Sequence, residues 1–441
     1  MITDVDVNRL LAVRTAERSV LSLYLRVPAD PGELRELPAR AHGLITLAAA
    51  SGRGTGAGSS SGGPWPVGPS PGRAGPVEPS PGRAGPVGPL PGRAGPVGPL
   101  PGAAGPVGPL PGAAGIDGAG WPARAEQQVR TILEVRGRDW LGHTAALFVG
   151  GEAGLSEAFA LPCLLPDRAV LAARPHVRPL LVAEQRCPAH YVAIVDRRHA
   201  WLFRVAGDQI EVAAAEHADP ADEVRSSGFG GWYGLDSHNV NERVIELAHQ
   251  HFQAAAALIG SVLGRGTEPL VIGGHVETIG QFAGLLPAPV RDRMAGSFVV
   301  DPHTMTPARV RALARGVIAG WVGMHEQRRV LELRASEGQH DPLVVTGLGR
   351  CLDAVNARAV DLLVVPVGGV IDGYVCESCG ALGTAVTSCP DGLAECRWVP
   401  DLLEEMVTRT LDEGGRTEAL VDPPGDVAAR LRFPVAAARA S

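Results

Sequence analysis

Four glycines and three aromatics share one short stretch of this sequence, "SSGFGGWYGLDSH" at 226–238. Glycine frees the backbone, whereas large aromatic faces favour burial or stacking. Gly228, Phe229, Gly230, Gly231, Trp232, Tyr233 and Gly234 therefore describe a pliable loop with apolar side chains at its tip. A loop that cradles phosphate needs a strand before it, a helix N-terminus after it, and a Lys-Ser/Thr pair or a downstream acid. "GFGGWYG" has neither. What the loop offers is insertion and stacking, since an aromatic face stacks on an unpaired base for about 1–3 kcal/mol. The plainer alternative folds the same aromatics back onto their own domain.

A second set of residues suits metal chemistry. Cys376, Cys379, Cys389 and Cys396 form C-x2-C-x9-C-x6-C, and four thiolates can close a tetrahedral structural zinc site. "CESCG" has the form of a zinc knuckle, while "CPDGLAEC" spaces its thiols by six residues rather than two. Free or partly buried thiols are the other reading. Cys163, Cys187 and Cys351 read as small core residues. Histidines offer less. "DSHN" at 236–239, His249 and His251 lie near the loop without a Ser or Cys nucleophile pattern, and "DPHT" at 301–304 reads as a turn before a helix. No catalytic residue is assigned.

These residues need elements to hold them. Residues 52–118 repeat a Pro/Gly decapeptide, "GPVGPLPGRA" at 85–94 and its variants at 75–84, 95–104 and 105–114. A period of ten is not the period of three that a collagen helix requires. Such a segment buries too little apolar surface to offset its ordering entropy, so it reads as a disordered insertion; a partner-binding arm is the alternative. Around it, "SVLSLYLRV" (19–27) alternates like a strand, 124–141 has helical spacing, and "TAALFVG" (144–150) reads as a buried strand. Beyond it, 190–215 gives strand, turn and strand, and 239–263 an amphipathic helix. "PLVIGG" (269–274) follows as a strand ending in a glycine turn. Helices at 306–336, 347–360 and 399–415 and strands at 361–367 and 417–421 complete the chain. The fold class expected is α/β (α+β), with three mixed domains at 1–175 (interrupted by 52–118), 176–305 and 306–441.

The order of these parts resembles the archaeal and eukaryotic class-1 release factor and Pelota family, whose bacterial relatives include the Balon-type ribosome hibernation factors. The resemblance rests on "SSGFGGWYGLDSHNVNERVIELAHQHF", "PLVIGGHVETIGQF", "AVDLLVVPVGGVIDGYVCESCG" and the closing helix, and spans nearly everything outside 52–118. It implies an N-terminal domain directed at the decoding centre and a middle domain whose loop reaches the peptidyl transferase centre. In release factors that loop reads Gly-Gly-Gln, and the Gln helps place the attacking water. Here Gly230 and Gly231 take the glycine positions and Trp232 stands where the Gln would be, with no Gln between 210 and 249. An indole carries one N–H donor and no acceptor, so it does not orient a water as a Gln amide does.

The resemblance thus implies a translation factor that occupies the A site of idle 70S ribosomes without hydrolysis, with elongation factor Tu as a companion. A release or rescue factor with peptidyl-tRNA hydrolase activity is the first alternative, and a non-ribosomal scaffold the second. A net charge of −7 argues against a generic DNA or RNA binder, though not against a shape-reading ribosome ligand with local arginine patches. Seven cysteines do not read as a disulfide framework. No secretory signal and no apolar run long enough to cross a membrane is visible. A cytoplasmic protein is expected.

Overall fold

The computed structural model describes residues 4–15, 19–51, 121–150, 154–207, 209–217, 235–385 and 396–435. The insertion expected at 52–118, the loop residues 226–234 and Cys389 lie outside these residues.

Helix α1 (Asp4–Leu11) precedes β1 (Val20–Arg26); α2 (Leu37–Ser51) and α3 (Trp121–Arg136) come before β2 (Thr144–Gly150), β3 (Leu155–Leu161) and β4 (Arg168–Ala172). The four strands form an antiparallel sheet in the order β3-β2-β1-β4. Successive side chains on a strand point to opposite faces, and "VLSLYLR" uses both. Leu21, Leu23 and Leu25 pack with Ile45 of α2 and Val129 and Ile132 of α3. Val20 and Tyr24 belong instead to a core shared with Leu363 and Leu402, far along the chain.

Helix α4 (Arg178–Arg186) leads into β5 (His190–Val195), β6 (His199–Ala206) and β7 (Gln209–His217). Next come α5 (Leu235–Leu263), β8 (Leu270–Gly274), α6 (Val276–Leu285), α7 (Ala288–Arg291) and β9 (Met294–Val299). Their five strands form a mixed sheet in the order β7-β6-β5-β8-β9. β5, β8 and β9 run parallel, while β5, β6 and β7 form an antiparallel meander. Phe252, Ala255 and Ile259 supply the buried stripe of α5, against Ala193, Ile272 and Phe282. The glycines of "PLVIGG" lie within β8 rather than in a turn after it. A Cβ on Gly273 would stand 2.6 Å from Ile194 Cδ1, and one on Gly274 2.5 Å from the Val195 carbonyl oxygen. Close approach of the neighbouring strand is what requires glycine here.

Thr306 caps α8 (Pro307–Gly338), accepting from the Arg309 N–H at 3.3 Å. The first half of this long helix packs Val310, Ala314 and Ile318 onto Val192, Ile194 and Val271. Near its other end, Leu333 packs with Val364 and Leu420. There follow β10 (Val344–Thr346), α9 (Leu348–Asn356), β11 (Val360–Pro366), β12 (Gly373–Cys376) and β13 (Leu382–Gly383). Strand β14 (Cys396–Val399), α10 (Leu402–Asp412), β15 (Arg416–Leu420) and β16 (Ala428–Leu431) end the chain. The larger sheet runs β10-β16-β11-β15, with only β11 and β15 parallel. A small antiparallel sheet, β13-β12-β14, carries the "CESC" cysteines. The architecture is mixed α/β, as the sequence pattern requires. Among the described residues no helix is long and apolar enough to cross a membrane.

Candidate functional site

Gly228, Phe229, Gly230, Gly231, Trp232, Tyr233 and Gly234 lie outside the described residues; the structure shows what anchors them. The loop leaves β7 after His217 and re-enters at Leu235, the start of α5. His217 pairs with His199, the first residue of β6, which follows the end of β5. The loop is therefore rooted at the end of the sheet where parallel strands β5, β8 and β9 terminate. In open α/β sheets the carboxyl ends of parallel strands are where crevices form.

Such a crevice is present here, about 280 Å³ in volume and lined by Asp196, Arg197, His199, His275, Glu277 and His303, among others. Each strand end contributes: Asp196 follows β5, His275 follows β8, and His303 lies just after β9. Asp196 is nearly buried and closes a tight turn, accepting from the Arg198 and His199 N–H groups at 2.7 and 2.6 Å. Its two carboxylate oxygens lie 3.3 Å from His199 Nδ1 and 3.5 Å from His303 Nε2. His199 stacks on Trp201 with ring centroids 5.3 Å apart, and His217 meets its edge at the same distance. Burial holds His251 of α5 below the usual histidine value, so its ring is neutral near pH 7. Arg197, Arg198 and His275 are exposed. The crevice thus sets hydrogen-bond donors around one anchored carboxylate, at the root of the loop. "DPHT" does form a short turn, Pro302–Thr304, ahead of α8. That one of its residues joins this crevice was not legible in its own segment.

Of the four motif cysteines, Cys376, Cys379 and Cys396 are described. Cys376 and Cys396 are register partners on β12 and β14. A turn after Cys376, closed by the Gly380 N–H donating to the Cys376 carbonyl at 2.8 Å, presents Cys379. Gly380 takes φ +73°, a conformation that favours glycine. Desolvation, and then the Cys376 and Cys379 thiols beside it, push the Cys396 thiol up. Among the described residues no group of three His, Cys, Asp or Glu is set to hold a metal ion.

A third cluster was invisible in the sequence. Arg178, at the start of α4, is fully enclosed and donates to the Pro366 and Gly369 carbonyls and, at 2.7 Å, to Asp401. Glu404 of α10 accepts from the Val177 and Arg178 N–H groups at 2.6 and 3.0 Å. Tyr24 donates to the His176 carbonyl at 2.5 Å, and Ser22 accepts from the His176 N–H. These bonds tie β1, the segment before α4 and α10 into one buried polar network.

Comparison with known proteins bears on the same part of the chain. Residues 175–326, which span the mixed sheet, the loop and the crevice, match the model of one known family. The family they match is Bacterial archaeo-eukaryotic release factor family 10. This supports the kinship with release factors and Pelota expected from the sequence. Similar solved structures include an archaeal translation termination factor, aRF1, at 12% identity, covering 97% of this chain and 96% of that one with a TM-score of 0.22. Pelota of Archaeoglobus fulgidus is 14% identical over 67% of this chain and 81% of its own, with a TM-score of 0.32. Dom34 of S. cerevisiae is 10% identical over 68% and 82%, with a TM-score of 0.36. No curated protein matches the chain.

Proposed function

We propose that this protein is a cytoplasmic ribosome-binding factor that occupies the A site of idle 70S ribosomes and reaches the peptidyl transferase centre without hydrolysing peptidyl-tRNA. The reading is supported by the match of 175–326 to a bacterial archaeo-eukaryotic release factor family, together with the resemblance that sets Trp232 where the Gln would be. The loop keeps the glycines needed for insertion and replaces the group that orients water with one that stacks. Exposed arginines and histidines at the loop's root suit a wall rich in phosphate, where such contacts position a protein without reading bases. Elongation factor Tu is the companion the resemblance suggests. The protein should co-sediment with 70S ribosomes at low salt and dissociate as salt rises. Failure to sediment with both vacant and tRNA-bearing ribosomes at low salt would remove the proposal.

We also propose that Cys376, Cys379, Cys389 and Cys396 hold one structural zinc. The support is the cross-strand pairing of Cys376 with Cys396 and the glycine-closed turn that presents Cys379. Thiolate ligands select zinc among the common divalent ions.

A further inference from the structure

The crevice at the ends of β5, β8 and β9 holds two sets of polar groups with opposite needs. Asp196 is 7% exposed, and its Oδ1 is taken up by the Arg198 and His199 N–H groups at 2.7 and 2.6 Å. Its other oxygen, Oδ2, has no hydrogen-bond partner among the described residues. His303 Nε2 lies 3.5 Å from it. A buried carboxylate oxygen left without a donor costs free energy, so this one is suited to a donor brought by a ligand.

Other lining residues supply donors. The first turn of α6 borders the crevice with His275, Glu277 and Thr278, and no side chain caps this helix. The first N–H groups of a helix have no partner within it and carry its partial positive charge, so they favour an anion. Arg197 and His303, both exposed, add a guanidinium and an imidazole to the same crevice. Glu277 opposes an anion here, but it is exposed, so water and salt screen it. His199 lies flat on Trp201, with the two rings 7° from parallel. The wall thus carries an aromatic stack of the kind on which a nucleobase lies.

We propose that this crevice is a binding site for a ribonucleotide with a free 2′,3′-diol. Asp196 Oδ2 accepts from a ribose hydroxyl, the role an acid plays where a strand-end crevice holds a dinucleotide. The 5′-phosphate takes the uncapped N–H groups of α6, with Arg197 and His303 as its charged partners. The base lies against His199. The volume of about 280 Å³ is at the lower edge of the roughly 300–1,000 Å³ of small-ligand sites. Two sources share this chemistry: a free 5′-mononucleotide, and the 3′ end of an RNA chain, whose last ribose keeps both hydroxyls. The site needs no ribosome, so it stands or falls apart from the function proposed above.

The test is calorimetric titration of the isolated full-length chain with each of the four ribonucleoside 5′-monophosphates. The tightest is then compared with its nucleoside, its 2′,3′-dideoxy analogue, and an RNA hexamer that ends in the same nucleotide with a free diol. One ligand should bind per chain, and the diol should strengthen binding about 10-fold or more. Asp196→Asn keeps an acceptor for the turn N–H groups and loses the one facing the diol. It should weaken the mononucleotide about 10- to 100-fold and erase the preference over the dideoxy analogue. His303→Ala and Arg197→Ala alter exposed side chains; they should weaken the mononucleotide, spare the nucleoside and leave thermal unfolding unchanged. Tighter binding of the hexamer assigns the site to an RNA end, and tighter binding of the mononucleotide to a free nucleotide. The proposal is overturned if neither binds at millimolar concentration, or if the dideoxy analogue binds equally well. Folded Asp196→Asn binding the mononucleotide as tightly as wild type would also overturn it.

Discussion

Replacing Glu404 with Gln probes the buried network that joins α10 to the segment before α4. Glu404 is 9% exposed, and its two oxygens accept separate backbone N–H groups, from Val177 and Arg178. Burial, and then the charge of Asp401, push its carboxyl up from the ordinary 4.5 to about 7, against the pull of Arg178. Between those values the folded chain keeps a proton that the unfolded chain releases, so this group's stabilisation is full below the lower value and is lost as pH rises to the upper. At about 1.4 kcal/mol per pH unit, the loss is on the order of 3 kcal/mol. His176 titrates in the opposite sense, because burial, and then Arg168 and Arg178, hold it well below the usual histidine value. Taking the difference between wild type and Glu404→Gln removes that contribution. The Gln carbonyl satisfies one N–H and leaves the other facing an amide NH2, a cost of about 1–3 kcal/mol that does not vary with pH. Urea unfolding should be followed from below the unfolded carboxylate value to above the folded one. The advantage of wild type over Glu404→Gln should shrink by about 3 kcal/mol across that range. Parallel stability curves would refute the reasoning.

Three further outcomes are expected. Gly273→Ala puts a methyl 2.6 Å from Ile194 Cδ1 and Phe298 Cε2; thermal unfolding should show a loss of about 1–3 kcal/mol. Freshly purified, reduced protein should carry about one equivalent of zinc by metal analysis; Cys376→Ser should release it and destabilise the β12–β14 region, and metal-free wild type would count against the site. Trp232→Ala and Tyr233→Ala should each weaken ribosome binding by about 1–3 kcal/mol in sedimentation titrations while leaving the circular dichroism spectrum unchanged.

Period and punctuation made much of the fold legible. The alternation at 19–27 gave β1, and the apolar stripe in 239–263 gave α5, which starts at Leu235. Thr306 and Pro307 mark the start of α8 in sequence and in structure. What stayed hidden depends on partners distant in the chain. Short strands such as β14 and β16 become strands through pairing, β14 with β12 and β16 with β10 and β11. Gly273 and Gly274 looked like a turn because their reason, the approach of Ile194 and Val195, comes from another strand. Asp196, His199 and His303 form a crevice only once the strand order places three strand ends side by side. Arg178, Asp401 and Glu404 carry no local pattern, since charged residues are buried only where distant partners meet them. The pairing of Cys376 with Cys396 was not legible either, since it depends on β12 meeting β14.

On the proposed function, the loop at 226–234 occupies the peptidyl transferase centre without hydrolysis. The most direct measurement is single-turnover release of a labelled peptide from P-site peptidyl-tRNA on 70S ribosomes saturated with the protein. If Trp232 stands where a Gln would orient water, bound ribosomes keep their peptide at the uncatalysed rate. Rapid release by the unmodified protein would contradict the claim and make it a hydrolase.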